Sequence, residues 1–221
     1  MGLLDEGTVV AVNVAVVRTD EFTRVKSGRS GIDKRPVAGP VLLGVDGVEG
    51  DTICDLKNHG GRYQAVYAYS VDDLAFWAAE LDQEVGPGGV GENLTIDGVD
   101  CSGAVVGERW RIGGAVLQVR GPRVPCRVFA GFRGVPDLIK RFLAAGRPGC
   151  YLSVEQPGHV RAGDVVTVLD RPDHGATVAD VMAVHAGDRA RLPLLVGARP
   201  FLSTERREWL DRISWPGVPL T

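Results

Sequence analysis

The sequence predicts a mainly β (α+β) fold, in which a closed or sandwiched β-body with a few short helices is followed by a small helical unit. Short apolar segments recur along the first 170 residues with turn residues at close intervals between them, a pattern typical of barrels and sandwiches. The 30 glycines and 13 prolines provide many tight turns. Helix caps and helical spacing dominate after residue 176. We therefore expect a closed or sandwiched β-domain over residues 1–170 and a helical unit over residues 176–221.

The N-terminal part of the chain alternates between apolar strands and polar connections. The valine-rich segment 8–17 predicts a buried strand, and segment 41–43 predicts a second one. Residues 18–35 lie between them, are polar and carry both charge signs, which indicates a long surface excursion. Segment 65–69 predicts a further short strand.

A helix is predicted directly after that strand. Ser70 is the N-cap candidate, and Asp73 is its capping-box partner three residues later. Apolar residues then recur at i, i+3, i+4 and i+7, which gives the helix one apolar face for packing. These residues are Leu74, Trp77, Ala78 and Leu81.

The segment GPGGVG at 86–91 has the spacing of a dinucleotide-binding fingerprint. That fingerprint requires a strand before it and a helix after it, whereas residues 93–96 predict a strand. We therefore predict no NAD(P)H site at this segment. Gly91, Glu92 and Asn93 are interpreted as a polar corner at the start of a strand.

Residues 107–127, GERWRIGGAVLQVRGPRVPCR, form the stretch on which the functional prediction depends. Apolar residues alternate on both sides of the Gly-Gly pair at 113–114, which predicts a β-hairpin with a tight turn. Pro122 and Pro125 stiffen the chain that leaves the second strand. Cys126 is expected at the tip of that stiff loop.

Cys126 has an unusual charge environment. Arg120, Arg123 and Arg127 lie within six positions of it, and no acidic residue does. Positive charge favours the thiolate over the thiol, so the pKa of Cys126 should fall. A thiolate is both a nucleophile and a soft metal ligand. The alternative is a cysteine that packs inertly in the interior, as free cysteines commonly do; the stretch alone leaves both open.

The chain beyond Cys126 predicts a helix and two strands before its character changes. Pro136 starts the helix and Gly146 ends it. Segments 149–154 and 165–169 predict the last strands of the β-body.

The segment after residue 176 predicts helices that are too short to form a core of their own and must pack on the β-body. Thr177 and Asp180 form a second capping box, and Ser203 can cap a last helix. Histidines without neighbouring chemical partners are interpreted as structural or solvent-facing. They are His159, His174 and His185.

Composition excludes several classes of protein. The formal net charge is −3 and the pI is about 5.8, which disfavours a general role in binding nucleic acid or a membrane surface. No apolar run is long enough for a membrane helix, and the N-terminus lacks the features of a signal peptide. The 4 cysteines are widely scattered, which excludes a structural zinc site and a disulfide framework. We expect a cytoplasmic protein.

The segment DLKNHGGR at 55–62 concentrates hydrogen-bond donors beside two glycines. The backbone at Gly60 and Gly61 can approach a ligand closely because it carries no Cβ. Donors at such a bare turn are typical of anion binding, although a solvated turn would have the same composition. The donors are Lys57, Asn58, His59 and Arg62.

Taken in order, five segments resemble the MOSC domain family, the module named after the C-terminal part of molybdenum-cofactor sulfurase. The resemblance covers nearly the whole chain, about residues 8–213. The helical tail is similar to that of the YiiM-type branch, in which a three-helix unit follows the MOSC body. The segments are 47–51, 57–61, 91–95, 107–108 and 122–126.

The resemblance implies a MOSC-type β-barrel that binds the molybdenum cofactor (molybdopterin). Cys126 would be the catalytic residue and the metal ligand, because it falls on the cysteine that supplies a protein sulfur to molybdenum. Glu92 and Asn93 would either hydrogen-bond the pterin edge or pin their own loop. Cationic and backbone donors would bind the pterin phosphate. These are Lys57, His59, Gly60, Gly61, Arg123 and Arg127.

In characterised members of the family the reaction is the reduction of N-hydroxylated compounds, such as hydroxylaminopurines and amidoximes, to amines. The resemblance therefore implies an enzyme with a small N-hydroxylated substrate. Electrons would come from an external donor protein or reductant, because the sequence has no four-cysteine iron–sulfur set. A non-catalytic carrier of the cofactor or of a persulfide sulfur would use the same cysteine and is the alternative. A third possibility is an interaction module with an inert, buried Cys126.

Overall fold

The structure is a computed structural model that describes residues 6–23, 28–56 and 59–213. Its strands include the predicted apolar segments, with shifts of one or two residues at their ends, and three short strands at residues 34–36, 47–48 and 158–160 that were not predicted. They are β1 (Glu6–Ala15), β2 (Lys34–Pro36), β3 (Val41–Gly44), β4 (Gly47–Val48), β5 (Val66–Ser70), β6 (Leu94–Asp97), β7 (Arg109–Ile112), β8 (Ala115–Pro122), β9 (Cys150–Gln156), β10 (Gly158–Val160) and β11 (Val165–Asp170).

The helices are short, and among the described residues none is long and apolar enough to cross a lipid bilayer. The α-helices are α1 (Val71–Leu81), α2 (Arg127–Arg133), α3 (Leu138–Ala145), α4 (Val178–His185), α5 (Leu195–Ala198) and α6 (Thr204–Ile213). Single 3₁₀ turns occur at Glu21–Thr23, Arg62–Gln64, Arg189–Leu194 and Arg199–Phe201.

Seven strands close into a barrel in the order β1, β6, β5, β9, β8, β7 and β11, and β11 pairs back onto β1. The β5–β6 pairing is parallel, whereas the other pairings in the barrel are antiparallel. Closure removes the sheet edges that an open sheet would leave unpaired. Strand β2 pairs with the far end of β1, and β10, β3 and β4 form a separate three-stranded sheet. The predicted β-barrel body with a few helices is confirmed.

The central hairpin has the predicted register. Ile112 of β7 pairs with Ala115 of β8 across the tight turn at 113–114, and Gly113 has φ 51°. Trp110 and Leu117 are fully buried inside the barrel, and the Trp110 Nε1 donates to Glu108 Oε2 at 2.9 Å. The hairpin is therefore fixed to the core up to the point where the chain leaves β8.

A second apolar cluster lies outside the barrel, where α1, α2 and α3 meet. The rings of Trp77 and Phe142 stack with centroids 5.2 Å apart, and Phe129 contacts Phe142 edge-on at 5.3 Å. All three side chains are fully buried. Helix α2 is thus anchored by its own aromatic residue, which fixes the segment directly after Cys126.

The segment after Pro125 differs from the predicted stiff loop. Only Val124 and Pro125 separate Arg123 from Cys126, and Cys126 is already the N-cap residue of α2. The sequence RVFAGFR conceals this helix because Gly131 lies inside it and a good side-chain cap is missing. Packing of Phe129 supplies the stability that local propensity does not.

The predicted capping box at α1 forms only in part. Ser70 Oγ accepts a hydrogen bond from the Asp73 backbone at 3.3 Å, as expected. The Asp73 carboxylate instead accepts from Ser102 Oγ at 2.8 Å and pairs with Arg147. A tertiary contact therefore replaces the local one.

Residues 18–35 hold more structure than a surface excursion. Arg18 and Ser30 form an isolated β-bridge, and Arg18 pairs with Asp33. Strand β2 lies at the end of this segment.

The helices after residue 176 pack onto the barrel. The capping box of Thr177 and Asp180 is complete, and it starts α4. Val181, Leu195 and Leu210 belong to the same apolar cluster as the barrel interior. The division into residues 1–170 and 176–221 stays a prediction, because the two parts share this core.

Candidate functional site

A cavity of about 960 Å³ lies where four parts of the chain meet. One wall comes from residues 51–56 and 59–64, and a second comes from residues 123–128 at the exit of β8. The third is formed by His185 of α4 with residues in and just before α6, and the fourth comes from residues 29–32 and Lys34. Tyr67 of β5 and Tyr151 of β9 also line the cavity. The predicted cysteine and the predicted histidine–diglycine turn therefore face one common space.

Cys126 lies on this cavity and is partly buried rather than enclosed in the core. It becomes accessible because Pro122 ends β8 and the two prolines hold the intervening chain extended until α2 begins. The sulfur is thus placed between the barrel and the first turn of a helix. This position differs from the inert, packed cysteine considered as an alternative.

The electrostatic surroundings of Cys126 favour its thiolate. Burial opposes the charge, but a hydrogen-bonding interaction with the His59 ring and the positive charge of Arg123 outweigh it. The pKa of Cys126 is lowered to about 7. A large fraction of the side chain is therefore ionised near neutral pH, as a metal ligand or nucleophile requires.

His59 connects Cys126 to the barrel wall. Its Nδ1 lies 3.4 Å from the hydroxyl of Tyr151, a residue of β9 that lines the same cavity. The pKa of Tyr151 is raised by burial, while the nearby Arg123 acts in the opposite direction. The three side chains Cys126, His59 and Tyr151 form a continuous polar row along the cavity.

The diglycine turn next to His59 has a backbone that only glycine adopts readily. Gly60 has φ 82° and Gly61 has φ 75°, both in the left-handed region. A Cβ at Gly60 would lie 2.9 Å from Ile53 Cδ1, whereas a Cβ at Gly61 would meet nothing within 4 Å. The bare backbone at Gly61 is therefore open to a ligand.

Arg123 is the most unusual charge of the cavity. Only 3% of the residue is exposed, and its Nη1 is a buried donor without a hydrogen-bond partner in the structure. Its guanidinium lies 4.5 Å from the ring centroid of Phe129 and 5.9 Å from that of Tyr67. A buried donor without a partner is costly, so this group is suited to bind an anion that none of the described residues supplies.

The three arginines near Cys126 in sequence do not act together. Arg120 points away from the sulfur, because it donates to Ser153 Oγ at 2.8 Å, to Phe201 O at 3.1 Å and to Glu155 at 3.0 Å. Alternation along β8 explains this direction, because successive strand residues face opposite sides. Arg127 is exposed and lines the cavity at the start of α2. The expected set of three arginines is therefore corrected to Arg123 with His59.

Glu92 and Asn93 hold the polar corner before β6. Glu92 is fully buried, lies outside the cavity lining, and accepts hydrogen bonds from the Gly88 N–H at 2.6 Å and the Val90 N–H at 3.1 Å. Asn93 lines the cavity, but its Oδ1 accepts from the Tyr67 N–H, and its Nδ2 donates to Asp51 and to the Asn13 carbonyl. Of the two predicted roles, this geometry corresponds to pinning the loop.

Lys57 and Asn58 lie outside the described residues, so the structure does not place these two predicted donors. Their neighbours His59 and Leu56 both line the cavity. The predicted phosphate-binding role of Lys57 stays a prediction.

Several cavity residues have no signal in the sequence. Gln64 has a buried Oε1 without a hydrogen-bond partner. Arg206 and Trp209 come from α6, and His185, expected to be structural or solvent-facing, comes from the end of α4. The helical spacing of His185, Arg206 and Trp209 indicates packing in the sequence, and only the tertiary structure places them on the same cavity as Cys126.

The other three cysteines have two different surroundings. Cys101 and Cys150 are buried in the barrel core, as expected for structural residues. Cys54 is partly buried and lines the cavity, so it shares the space with Cys126. All four are free thiols.

Comparison with known proteins gives a consistent family. The family model described as "MOSC domain" matches residues 55–167. Protein YiiM of Escherichia coli (strain K12) is 32% identical over 159 residues, which cover 70% of each chain. The crystal structure of YiiM from Geobacillus stearothermophilus has 27% identity and a TM-score of 0.76, and the match covers 93% of this chain and 98% of that one. A protein named "Reductase" from Gibberella moniliformis (strain M3125 / FGSC 7600) is 31% identical over 182 residues, 78% of this chain and 32% of that protein.

Proposed function

The chain belongs to the MOSC domain family and is of the YiiM type, and from this premise we propose that it is a molybdenum-cofactor-dependent reductase of small N-hydroxylated compounds. Cys126 would be the protein ligand of the metal. The observation that carries the proposal is a thiol with a pKa of about 7 that faces an open cavity beside Arg123, a buried cation with an unpartnered donor.

The residues of the cavity fit such a cofactor. A soft metal needs a deprotonated sulfur, and the surroundings of Cys126 favour its thiolate. A pterin phosphate needs positive charge and N–H donors. Arg123, Arg127 and the backbone at Gly61 offer these groups in the lining of the same cavity. Gln64 Oε1 offers an acceptor to a ring N–H. The cavity of about 960 Å³ is large enough for a pterin together with a small substrate.

When bound, the molybdenum cofactor would supply the two-electron chemistry that breaks an N–O bond. The chain's own residues have simpler tasks. Cys126 would hold the metal, and His59, which also contacts the Tyr151 hydroxyl, would keep the sulfur oriented. Arg123 neutralises negative charge inside the cavity, where water screens it poorly. Electrons would come from an external donor, and four free thiols agree with a reducing, cytoplasmic setting.

The proposal is tested by metal content and turnover. Protein made in a host that synthesises the molybdenum cofactor is expected to contain molybdenum and to reduce 6-N-hydroxylaminopurine with an artificial reductant. Cys126→Ala should lose both properties. Cys54→Ala is the matched control, because Cys54 is a second cysteine on the same cavity, beside Lys34, and it should keep both. Absence of molybdenum in the unaltered protein, or equal molybdenum in Cys126→Ala, would contradict the proposal.

The second candidate function is a carrier that holds the cofactor or a persulfide sulfur without turnover. The interaction of His59 with Cys126 favours it, because a cysteine with an imidazole neighbour is also a good nucleophile. A carrier would bind molybdenum or accept sulfur on Cys126 but would show no reduction of the purine under the same conditions.

A further inference from the structure

Helix α6 supplies a wall of the cavity that the family comparison does not assign. The matched family model ends at residue 167, whereas Arg206 and Trp209 of α6 and His185 of α4 line the cavity together with Cys126. In the sequence, these side chains lie C-terminal to every motif that predicted the site. Their role must therefore be argued from the structure alone.

Two hydrogen bonds fix this wall relative to Cys126. Arg206 Nη2 donates to the Pro122 carbonyl at 2.8 Å, at the end of β8 and four residues before Cys126. Arg120 Nη1, also on β8, donates to the carbonyl of Phe201, three residues before α6 begins, at 3.1 Å. The end of β8 and the α6 region are thus joined by one hydrogen bond in each direction. The distance between α6 and the sulfur is set by these bonds rather than left to a flexible linker.

The wall presents one large aromatic side chain, Trp209, to the cavity beside the polar residues Ser203, Glu205 and Arg206. Trp209 is half-buried, and its ring lies 5.8 Å from the His185 ring at an interplanar angle of 49°. Its buried part packs against the barrel core, which restrains the side chain, while the residue still lines the cavity. A restrained indole at the edge of a reaction cavity is suited to stack on a flat ring, because little rotamer freedom is lost on binding.

We propose that Trp209 is a substrate-binding residue that makes the enzyme prefer planar aromatic N-hydroxylated compounds over aliphatic ones. This inference rests on the proposed function. Arg206 is a positioning residue, because it acts by holding α6 against the cysteine loop. His185 extends the aromatic surface from the neighbouring helix. Aliphatic amidoximes would gain nothing from this wall, since they present no ring to stack.

The test compares two probes, 6-N-hydroxylaminopurine and acetamidoxime, by calorimetric Kd and by KM, on purified protein of measured molybdenum content. Trp209→Leu keeps apolar volume but removes the ring, and Trp209→Phe keeps a ring. Loss of stacking should weaken purine binding about 5- to 150-fold in Trp209→Leu. Acetamidoxime binding should weaken less than purine binding, so the purine-to-acetamidoxime affinity ratio should fall, and Trp209→Phe should keep most of the purine affinity. Glu208→Ala, exposed on α6 and not part of the cavity lining, is the control.

Equal weakening of both probes in Trp209→Leu, or no weakening of either, would overturn the inference. If the thermal transition shows that Trp209→Leu does not fold, His185→Leu, at an exposed position, takes its place. This variant must lower the purine-to-acetamidoxime affinity ratio, and an unchanged ratio overturns the inference. Calorimetric binding does not need turnover. Protein without molybdenum that still prefers the purine through Trp209 would therefore contradict the proposed function alone, and a molybdenum enzyme indifferent to Trp209 would contradict this inference alone.

Discussion

Cys126 in the cavity and Cys150 in the barrel core are residues of the same type in opposite environments. Cys150 lies on β9, is fully buried, and has a pKa raised well above its ordinary value by burial, with Cys101 as a thiol neighbour. Cys126 is also partly buried, but His59 and Arg123 reverse the effect of burial and lower its pKa to about 7. The difference teaches that burial alone decides neither inertness nor reactivity; the charges beside the sulfur do.

Arg123 and Glu92 extend this comparison to buried charges. Glu92 accepts two backbone N–H groups and the Thr95 hydroxyl, so its burial completes a local structure. Arg123 is buried as deeply, yet its Nη1 has no partner in the structure. Glu92 is paired as structural groups are, whereas Arg123 keeps an unused donor at a cavity. The first should therefore contribute to stability and the second to ligand binding.

The largest expected effect is the difference in thiol reactivity. In a Cys54→Ser background at pH 7, we expect iodoacetamide to modify Cys126 at least about 1000-fold faster than Cys150, because the latter is neither ionised nor accessible in the folded state. The Cys126 rate should rise with pH through a midpoint of about 7 and level off above it, since only the thiolate reacts. Peptide mapping measures both rates; a midpoint near that of an ordinary thiol would contradict the comparison.

The second effect is on stability. Glu92→Gln should lower the free energy of unfolding by about 1–3 kcal/mol, because an amide nitrogen would face the Val90 N–H. Arg123→Met, which keeps the contact with Phe129, should leave that free energy unchanged within about 1 kcal/mol or raise it. Denaturant unfolding monitored by circular dichroism gives both values. Glu84→Gln is the exposed control. A larger loss in Arg123→Met than in Glu92→Gln would reverse the assignment of roles.

The smallest effect concerns His59. Three groups favour the thiolate, namely the His59 ring, Arg123 and the Phe129 backbone N–H. His59→Ala removes the first of them, so the midpoint for labelling Cys126 should rise by about one pH unit, which slows labelling at pH 6 about tenfold. His159→Ala, at an exposed position on β10 outside the cavity lining, should leave the midpoint unchanged. If the His59 variant titrates like the unaltered protein, Arg123 and the Phe129 N–H lower the pKa of Cys126 without His59.

The barrel was predictable because its information is local. The Gly-Gly hairpin, the apolar segments of β5 and β9 and the capping box at Thr177 each carry their signal within a few residues. Family resemblance added the order of the motifs and brought Cys126 and His59 into one hypothesis. The prediction of MOSC membership of the YiiM type is confirmed by the comparisons.

The site was less predictable because its remaining partners are remote in sequence. Tyr151 reaches His59 across 92 residues, and Arg206 reaches Pro122 across 84. Arg120 looked equivalent to Arg123 in the sequence, but the twist and alternation at the end of β8 direct the two side chains to different neighbours. Helix α2 was not predicted because its stability comes from the packing of Phe129 and not from local helix propensity.

X-ray absorption at the molybdenum edge tests the central claim most directly. Protein loaded in a competent host should show one molybdenum–sulfur contact more than the cofactor's dithiolene supplies, because the Cys126 thiolate adds its own sulfur. That contact should be absent from Cys126→Ser and present in Cys54→Ser. A spectrum with dithiolene sulfurs only, or one that is the same in the unaltered protein and in Cys126→Ser, would contradict the account.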